Sequence, residues 1–396
     1  MKVLHVIPSV APRYGGPSRA VLEMSGAIQS RGVESLIVTT DADGRGRLPV
    51  EVGRPLMYAG VPVLFFSRQW SEAFKYSRPM ARWLAGHVRE FDVVHIHAVL
   101  SHVCLAAARA CAKQDVPYLL RPLGTLDPWS LERKRFRKHL LLRLAGTRAL
   151  QGAAFVHYTT EEERRLAELR LPIGRGVVVP LGVDPQVLDD NGTRGSETIK
   201  GLGVVGTPYV LALGRIHEKK GLELLIDAFL EVTSRGEFLE WRLVIAGDGE
   251  PGYVAQLRAR ATRQDPGERV LFAGWLQGRE RVETLRQAAL VVSPSRQENF
   301  GLSVVEALAS GVPAVVSPHV NLAAEIAEAG AGWVTPLGSP ALAASLREVL
   351  RDEPERRRRG RAGRELVRRR FTWAVVADQL VALYEAAAAR SRSVSA

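Results

Sequence analysis

At 396 residues, with 46% hydrophobic and 24% charged residues, the chain is long enough for two or three domains with ordinary buried cores and is neither disordered nor fibrous. Two cysteines, Cys104 and Cys111, exclude a disulfide framework and a cysteine zinc site, since seven residues of helix set them about 10 Å apart along one face. The net charge of +12 is uneven: residues 1–200 hold 28 Lys and Arg against 19 Asp and Glu, the remainder 26 against 23.

The first apolar run, Val3 to Ile7, is followed by Pro8 and is too short for a signal-peptide core or a membrane span. It reads as a strand of a cytoplasmic, non-spanning chain. Arg13 and the pair Gly15-Gly16 follow, and a loop free of side chains there lets an anion approach the amides of the next helix. That helix has Pro17 in its first turn, an apolar face of Ala20, Val21, Met24, Ala27 and Ile28, and Gly32 as its cap. Apolar runs at Ser35–Thr39, Asp92–Ala98, Pro117–Leu120, Ala154–Thr159 and Val177–Pro180 alternate with helical stretches, which predicts a parallel sheet. His97 and Arg121 stand at two of these strand ends. Between them and the fifth strand, Arg133, Lys134, Arg135, Arg137, Lys138, Arg143 and Arg148 surround Phe136, Leu140 and Leu144. This basic amphipathic stretch, 133–148, suits an anionic membrane surface, and equally the solvated face of a packed helix. No base-stacking aromatics interleave the charges, so nucleic acid is not an expected partner.

From Gly192 to Pro208 the sequence is polar and glycine-rich, as expected of a linker. The pattern then restarts with Tyr209–Leu213, a helix over Gly221–Val232, Arg242–Ala246, Val270–Phe272, Leu290–Ser293, a helix over Leu302–Ser310, and Pro313–Ser317. Three helical stretches near 339–351, 354–370 and 373–389 end the chain, those of 354–370 carrying Arg356–Arg359 and Arg368–Arg370 as solvated charge. The fold class is α/β, two doubly wound parallel-sheet domains with a ligand cleft at the carboxyl ends of their strands. The expected division is 1–190, a linker at 191–207, a second domain at 208–372, and a returning helix and tail at 373–396.

Some motifs mean little. Gly201-x-Gly203-x-x-Gly206 precedes its strand and meets Pro208, whereas a dinucleotide loop follows a strand. Asp41 and Asp43 read as a strand-to-loop turn rather than a metal pair, and Thr160 with Glu163 as a capping box. Gly247-Asp248-Gly249 stands after its strand as the first glycine loop does. The informative segment is Ser293–Ser317, SPSRQENFGLSVVEALASGVPAVVS, with Glu298 before a helix, Glu306 within it, and the amides of Phe300, Gly301 and Leu302 at its start. Upstream, Gly214-Arg215-Ile-His217-Glu-Lys219-Lys220-Gly221 sets Arg215 and Lys220 at the same sheet edge. Cations suit a diphosphate and carboxylates suit sugar hydroxyls.

Together, Glu298 and Glu306 within ENFGLSVVEALASGVPAVVS, the segments GRIHEKKGLELLIDAF and VIAGDGE, and the Gly15-Gly16 loop resemble glycosyltransferase family 4, retaining enzymes of the GT-B fold, over nearly the whole chain. The resemblance implies that Arg215 and Lys220 grip the donor diphosphate, that Glu298, Asn299 and the amides of Phe300 to Leu302 hold the donor sugar, and that Glu306 binds the ribose. Gly15, Gly16 and Gly247 would complete the donor site, with 275–281 near the base, and no metal or other cofactor would be needed. Two departures stand out: Leu123 occupies the place of a family His, whose contact is then absent or supplied elsewhere, with His97, the expected catalytic residue, and Arg121 as the candidates, and Leu181 replaces a common Asn. Arg13, His97, Arg121 and Asp127 are the expected acceptor contacts. RPLGTLDPW resembles a subgroup of bacterial surface-polysaccharide assembly. The expected activity is transfer of a hexose from a nucleotide sugar to a glycan or polyprenyl-diphosphate-linked acceptor. A sugar-nucleotide epimerase and a catalytically silent scaffold for anionic polymer or membrane are the alternatives.

Overall fold

The computed structural model describes residues 1–126, 145–169, 171, 174–183, 185–188, 195–234, 236–265 and 268–394. They form two units, Met1–Gly182 with Trp373–Ala396, and Val183–Thr372. Among the described residues no helix is long and apolar enough to cross a membrane.

The first unit contains β1 (Lys2–Ser9), α1 (Gly16–Gln29), β2 (Glu34–Thr40), β3 (Ala42–Asp43), β4 (Gly46–Arg47), β5 (Pro55–Tyr58), β6 (Val61–Phe66), α2 (Arg78–His87), β7 (Val93–His97), α3 (His102–Gln114), β8 (Tyr118–Arg121), α4 (Thr147–Gln151), β9 (Phe155–Tyr158), α5 (Glu161–Glu168) and β10 (Gly176–Val178). Its main sheet runs β10-β9-β8-β7-β1-β2-β6-β5, so the order reverses between β1 and β7. All neighbours are parallel except β5, which joins β6 as a hairpin through Ala59-Gly60, both with positive φ. This pair departs from the purely parallel sheet expected, and Pro55 and Pro62 hid it, because proline within a run argues against a strand.

One sheet face carries Leu4, Val6, Val94, Ile96, Leu120 and Val156 against α2 and α3. Cys104 and Cys111 sit there as free, buried thiols, each pushed up to about 12 by burial. The opposite face holds a row of polar side chains. Strand register places His5 beside His95, His97 beside Arg121, and Arg121 level with His157, and all five are buried. Tyr384, from the final helix, donates to His95 Nδ1 at 2.9 Å; His95 Nε2 lies 3.1 Å from His157 Nδ1, and His157 Nε2 donates to the Val179 carbonyl at 2.7 Å. This chain fixes neutral tautomers end to end.

In the second unit, α6 (Pro185–Leu188) and α7 (Glu197–Gly201) precede β11 (Tyr209–Leu213), α8 (Leu222–Thr233), β12 (Arg242–Ala246), α9 (Pro251–Gln264), β13 (Val270–Gly274), α10 (Gly278–Gln287), β14 (Leu290–Ser293), α11 (Leu302–Ala309), β15 (Ala314–Val316), α12 (Ala323–Glu328), β16 (Gly332–Val334), α13 (Ser339–Arg351) and α14 (Glu353–Arg370). The sheet is parallel throughout, in the order β13-β12-β11-β14-β15-β16. The stretch expected as a linker is folded where described: Glu280 accepts from Ser196 Oγ (2.9 Å) and from the amide and hydroxyl of Thr198, and Ile199 and Val204 are buried. Of the Gly201-x-Gly203-x-x-Gly206 motif, Gly201 ends α7, and Gly203 and Gly206, both with positive φ, lie in the turn that follows. Two arginines of α14 also differ from the solvated charge expected: Arg356 is buried, donates to the Val349 and Leu350 carbonyls and covers Trp241, and Arg359 covers Trp333. The last helix, α15 (Trp373–Val394), belongs to the first unit, packing on α1 with Trp373 Nε1 donating to Glu23 and Arg31 paired with Asp378.

Candidate active site

In the second unit the strand order reverses between β11 and β14, the position where doubly wound sheets open a ligand crevice at their carboxyl edge. A recess lies there, lined by Gly214, Arg215, Lys220, Ser293, Pro294 and Ser303. The loop after β11 is held by the loop after β12, with Gly214 N donating to the Ala246 carbonyl (2.9 Å) and Ile216 N to the Asp248 carbonyl (2.8 Å). Contact is close enough that a Cβ on Gly247 (φ 159°) would collide with the Gly214 carbonyl oxygen. Gly247→Ala is therefore expected to cost about 2 kcal/mol or more and to lower Tm by several degrees in a thermal melt. An unchanged Tm would contradict this packing.

Beyond Ile216, the His217 side chain accepts from Lys219 N at 3.1 Å and caps the short turn Glu218–Lys220. Arg296 N donates to the Lys219 carbonyl (2.7 Å), tying this turn to the loop after β14. Lys220 is thereby aimed at Glu298, and the two side chains, 18% and 15% exposed, form an ion pair. Burial by itself would raise the Glu298 carboxyl, but Lys220, then Lys219 and Arg215, outweigh it and hold the group at about 2. Glu298 is ionised at any physiological pH. Its backbone is fixed from the other side, Glu298 N donating to the His319 carbonyl (2.9 Å) and its carbonyl accepting from Asn321 N (3.0 Å). Arg215 remains exposed and makes no ion pair among the described residues.

Asn299 leads into Phe300, whose ring is buried edge-on to Phe371 at 5.7 Å, so this residue offers its backbone and not its side chain. Gly301, with φ 75°, turns the chain into α11, which begins at Leu302. Glu306, 1% exposed on that helix, receives Arg281 Nε from α10 at 3.1 Å and pairs with its guanidinium. Sequence reading placed 275–281 near this site without finding that pair; an arginine in the charged run GRERVE of an amphipathic helix carries no distinguishing signal.

In the first unit, Gly15 (φ 77°) precedes α1, Gly16 opens it, and nothing lies within 4 Å of the space above Gly15. Arg13 is half-exposed and bound to Asp43 at 2.7 Å, while Asp41 is buried and accepts from Arg68 N at 2.7 Å, so both acids serve loop structure. His97 and Arg121, the residues expected in catalytic and acceptor-contacting roles, are 0% and 1% exposed. His97 Nε2 lies 3.0 Å from His5 Nδ1, inside the polar layer rather than at its surface. His5, His95 and His97 bring three imidazoles within 4.8 Å, the spacing of a cation site. Their chemistry does not fit one, because both His95 nitrogens are already hydrogen-bonded and the buried, charged Arg121 guanidinium beside the cluster repels a cation.

The two strand ends are strained instead. Ala98, after His97, has φ 131°, and Leu123, after Arg121, has φ 58°, conformations that side chains avoid and that cluster at functional sites. Glu163 holds the second, accepting from Gly124 N, Thr159 N and Thr159 Oγ1, each at 2.8 Å. The Thr160 cap appears as expected, but Glu163 turns away from it to this loop. Asp127 and the basic residues from Arg133 to Leu144 lie outside the described residues; Arg148 is on α4.

Residues 15–182 match the family model of the glycosyl transferase 4-like domain and residues 197–366 that of the glycosyl transferases group 1. The chain belongs to the family 4 glycosyltransferases. The D-inositol 3-phosphate glycosyltransferase of Xylanimonas cellulosilytica is 30% identical over 95% of this glycosyltransferase and 93% of its own length. Mannosylfructose-phosphate synthase of Agrobacterium fabrum is 33% identical over 44% of the chain, which spans 40% of that protein. Anabaena HepE, solved in complex with UDP-glucose, superposes with a TM-score of 0.78 at 22% identity, covering 97% of this chain and 99% of that one. The glycosyltransferase thus has the GT-B fold, with two parallel-sheet α/β domains.

Proposed function

We propose that this glycosyltransferase moves a hexose from a nucleoside diphosphate sugar to an acceptor hydroxyl with retention at the anomeric carbon and without a metal ion. The observation that carries this reading is the meeting of Arg215, Lys220 and an ionised Glu298 at the switch point of the second sheet. Two cations match the two charges of a diphosphate, and a carboxylate beside them accepts from sugar hydroxyls. The resemblance to family 4 assigns the ribose to Glu306, which Arg281 orients, and supports front-face attack. The bond from the anomeric carbon to the diphosphate oxygen breaks, the bond to the acceptor oxygen forms on the same face, and the acceptor proton passes to the departing diphosphate. Charge grows on that leaving group, where Lys220 and Arg215 stabilise it.

The acceptor we propose is a glycan or a polyprenyl-diphosphate-linked sugar of cell-surface polysaccharide assembly, reached from the cytoplasmic side. The resemblance of RPLGTLDPW supports the first part, and the charge of the 133–148 sequence supports peripheral contact with an anionic leaflet. Sedimentation with phosphatidylglycerol vesicles at low salt tests that contact; a protein that stays in the supernatant contradicts it.

Glu298→Gln tests the site. The amide cannot neutralise Lys220, so nucleoside diphosphate binding is expected to be kept or to tighten while turnover falls by roughly 10² or more. Release of the nucleoside diphosphate from a panel of nucleotide sugars, in EDTA, provides the assay. Equal turnover in wild type and variant would overturn the role of Glu298, and conversion of the nucleotide sugar without its cleavage would point to an epimerase.

A further inference from the structure

At the carboxyl edge of the first unit's sheet, the loop between β6 and α2 presents Trp70 at 81% exposure. The indole lies on the Tyr76 ring at 4.8 Å between centroids and 3° between planes, and Tyr76 lies in turn on His102 at 4.2 Å. His102 opens α3, five residues beyond His97 at the end of β7.

The loop is built rather than loose. Gln69 N donates to the Tyr76 carbonyl (2.8 Å), Phe74 N to Ser71 Oγ (3.0 Å), Arg78 N to Gln69 Oε1 (3.0 Å) and His102 N to the Phe74 carbonyl (2.8 Å). Lys75 is buried, with φ 49°, its ammonium bonded to Glu72 and 4.4 Å from the Tyr14 ring centroid. Tyr14 donates to Glu72 at 2.8 Å, which joins this loop to the turn before Gly15. A preorganised loop that leaves the largest apolar side chain uncovered points to a ligand for its open face.

We propose that the Trp70–Tyr76 stack is a platform for one sugar ring of the acceptor glycan. A pyranose has one face of axial C–H groups that lies flat on an indole while its hydroxyls stay hydrated at the rim. Gln69, Ser71 and Glu72 supply such a rim, and the same polar and anionic neighbours oppose insertion of Trp70 into a bilayer. This inference rests on the reading of the protein as a transferase with a glycan acceptor.

The test compares wild type with Trp70→Ala and Trp70→Phe on an array of immobilised mannose-, glucose- and galactose-containing oligosaccharides. At least one glycan is expected to be held by wild type, at least ten-fold less by Trp70→Ala, and nearly normally by Trp70→Phe. Absence of any glycan binding by wild type, or equal binding by Trp70→Ala, overturns the platform. Loss of phosphatidylglycerol-vesicle binding in Trp70→Ala with glycan binding unchanged also overturns it, in favour of a membrane contact. Stabilisation by nucleoside diphosphate, measured in the same samples, separates the two readings: where it persists and the glycan arm fails, only the platform falls, and where wild type itself lacks it, the transferase reading falls.

Discussion

Turnover in Lys220→Ala is expected to fall by roughly 10² or more, about 3 to 4 kcal/mol of lost transition-state stabilisation. The ammonium is placed before any ligand arrives, held by the cap at His217, the tie from Arg296 N to the Lys219 carbonyl, and its pairing with Glu298. A cation already oriented does not spend entropy on alignment when the diphosphate departs. Removing it also leaves the Glu298 carboxylate buried beside weaker compensation, which raises that group from about 2 and weakens its hold on the sugar. Arg215→Ala removes a more exposed cation and is expected to act in the same direction. Steady-state release of nucleoside diphosphate measures both, and near-normal turnover in the two variants would contradict the clamp.

Acid is expected to unfold the first unit at a pH where most carboxylates remain ionised. His5 and His157 are pushed down to about 3, first by burial and then by Arg121, and His95 and His97 lie well below the ordinary 6.5 for the same leading cause. Between these values and 6.5 the unfolded chain binds protons that the folded chain refuses, so stability is full above about 6.5 and is lost as pH falls. At pH 5 His5 and His157, held at about 3, each cost about 2 kcal/mol, and His95 and His97 add to this in the same direction, so the loss is a large part of the stability of a domain. The groups facing the layer are Arg121 and Tyr384, and neither relieves it: Arg121 is lowered to about 10 and stays charged, and Tyr384 is pushed up and stays neutral. Melts by circular dichroism from pH 8 to pH 5 should show a plateau and then a steep fall of Tm below 6.5. A Tm that declines by less than a few degrees over that span would contradict a buried, neutral histidine layer.

Much of the second unit was legible because its chemistry is local. Each of β11, β12 and β14 is a short apolar run, and the segments that carry Lys220 and Glu298 follow such runs directly. The fold then needs only the order of strands to bring them together. The first unit hid more. His5, His95 and His97 alternate with apolar residues, a pattern that ordinarily marks a strand with one wet face, and here that face is covered by α15, which arrives from the end of the chain. The strand-end position of His97 therefore gave no sign that its side chain is buried. Arg281 with Glu306 and Glu163 with Gly124 are similar cases, since partners 25 and 39 residues apart are chosen by topology and leave no spacing to detect.

Thermal stabilisation by nucleoside diphosphates tests the central claim most directly. Wild type and Lys220→Ala would be melted with UDP, GDP, ADP and dTDP, each in EDTA. The account predicts that at least one diphosphate stabilises wild type, by about 2.7 kcal/mol at 100 times its dissociation constant, and that the same ligand shifts Lys220→Ala much less. Stabilisation by none of the four, or an equal shift in the variant, would contradict a donor site built on Arg215, Lys220 and Glu298.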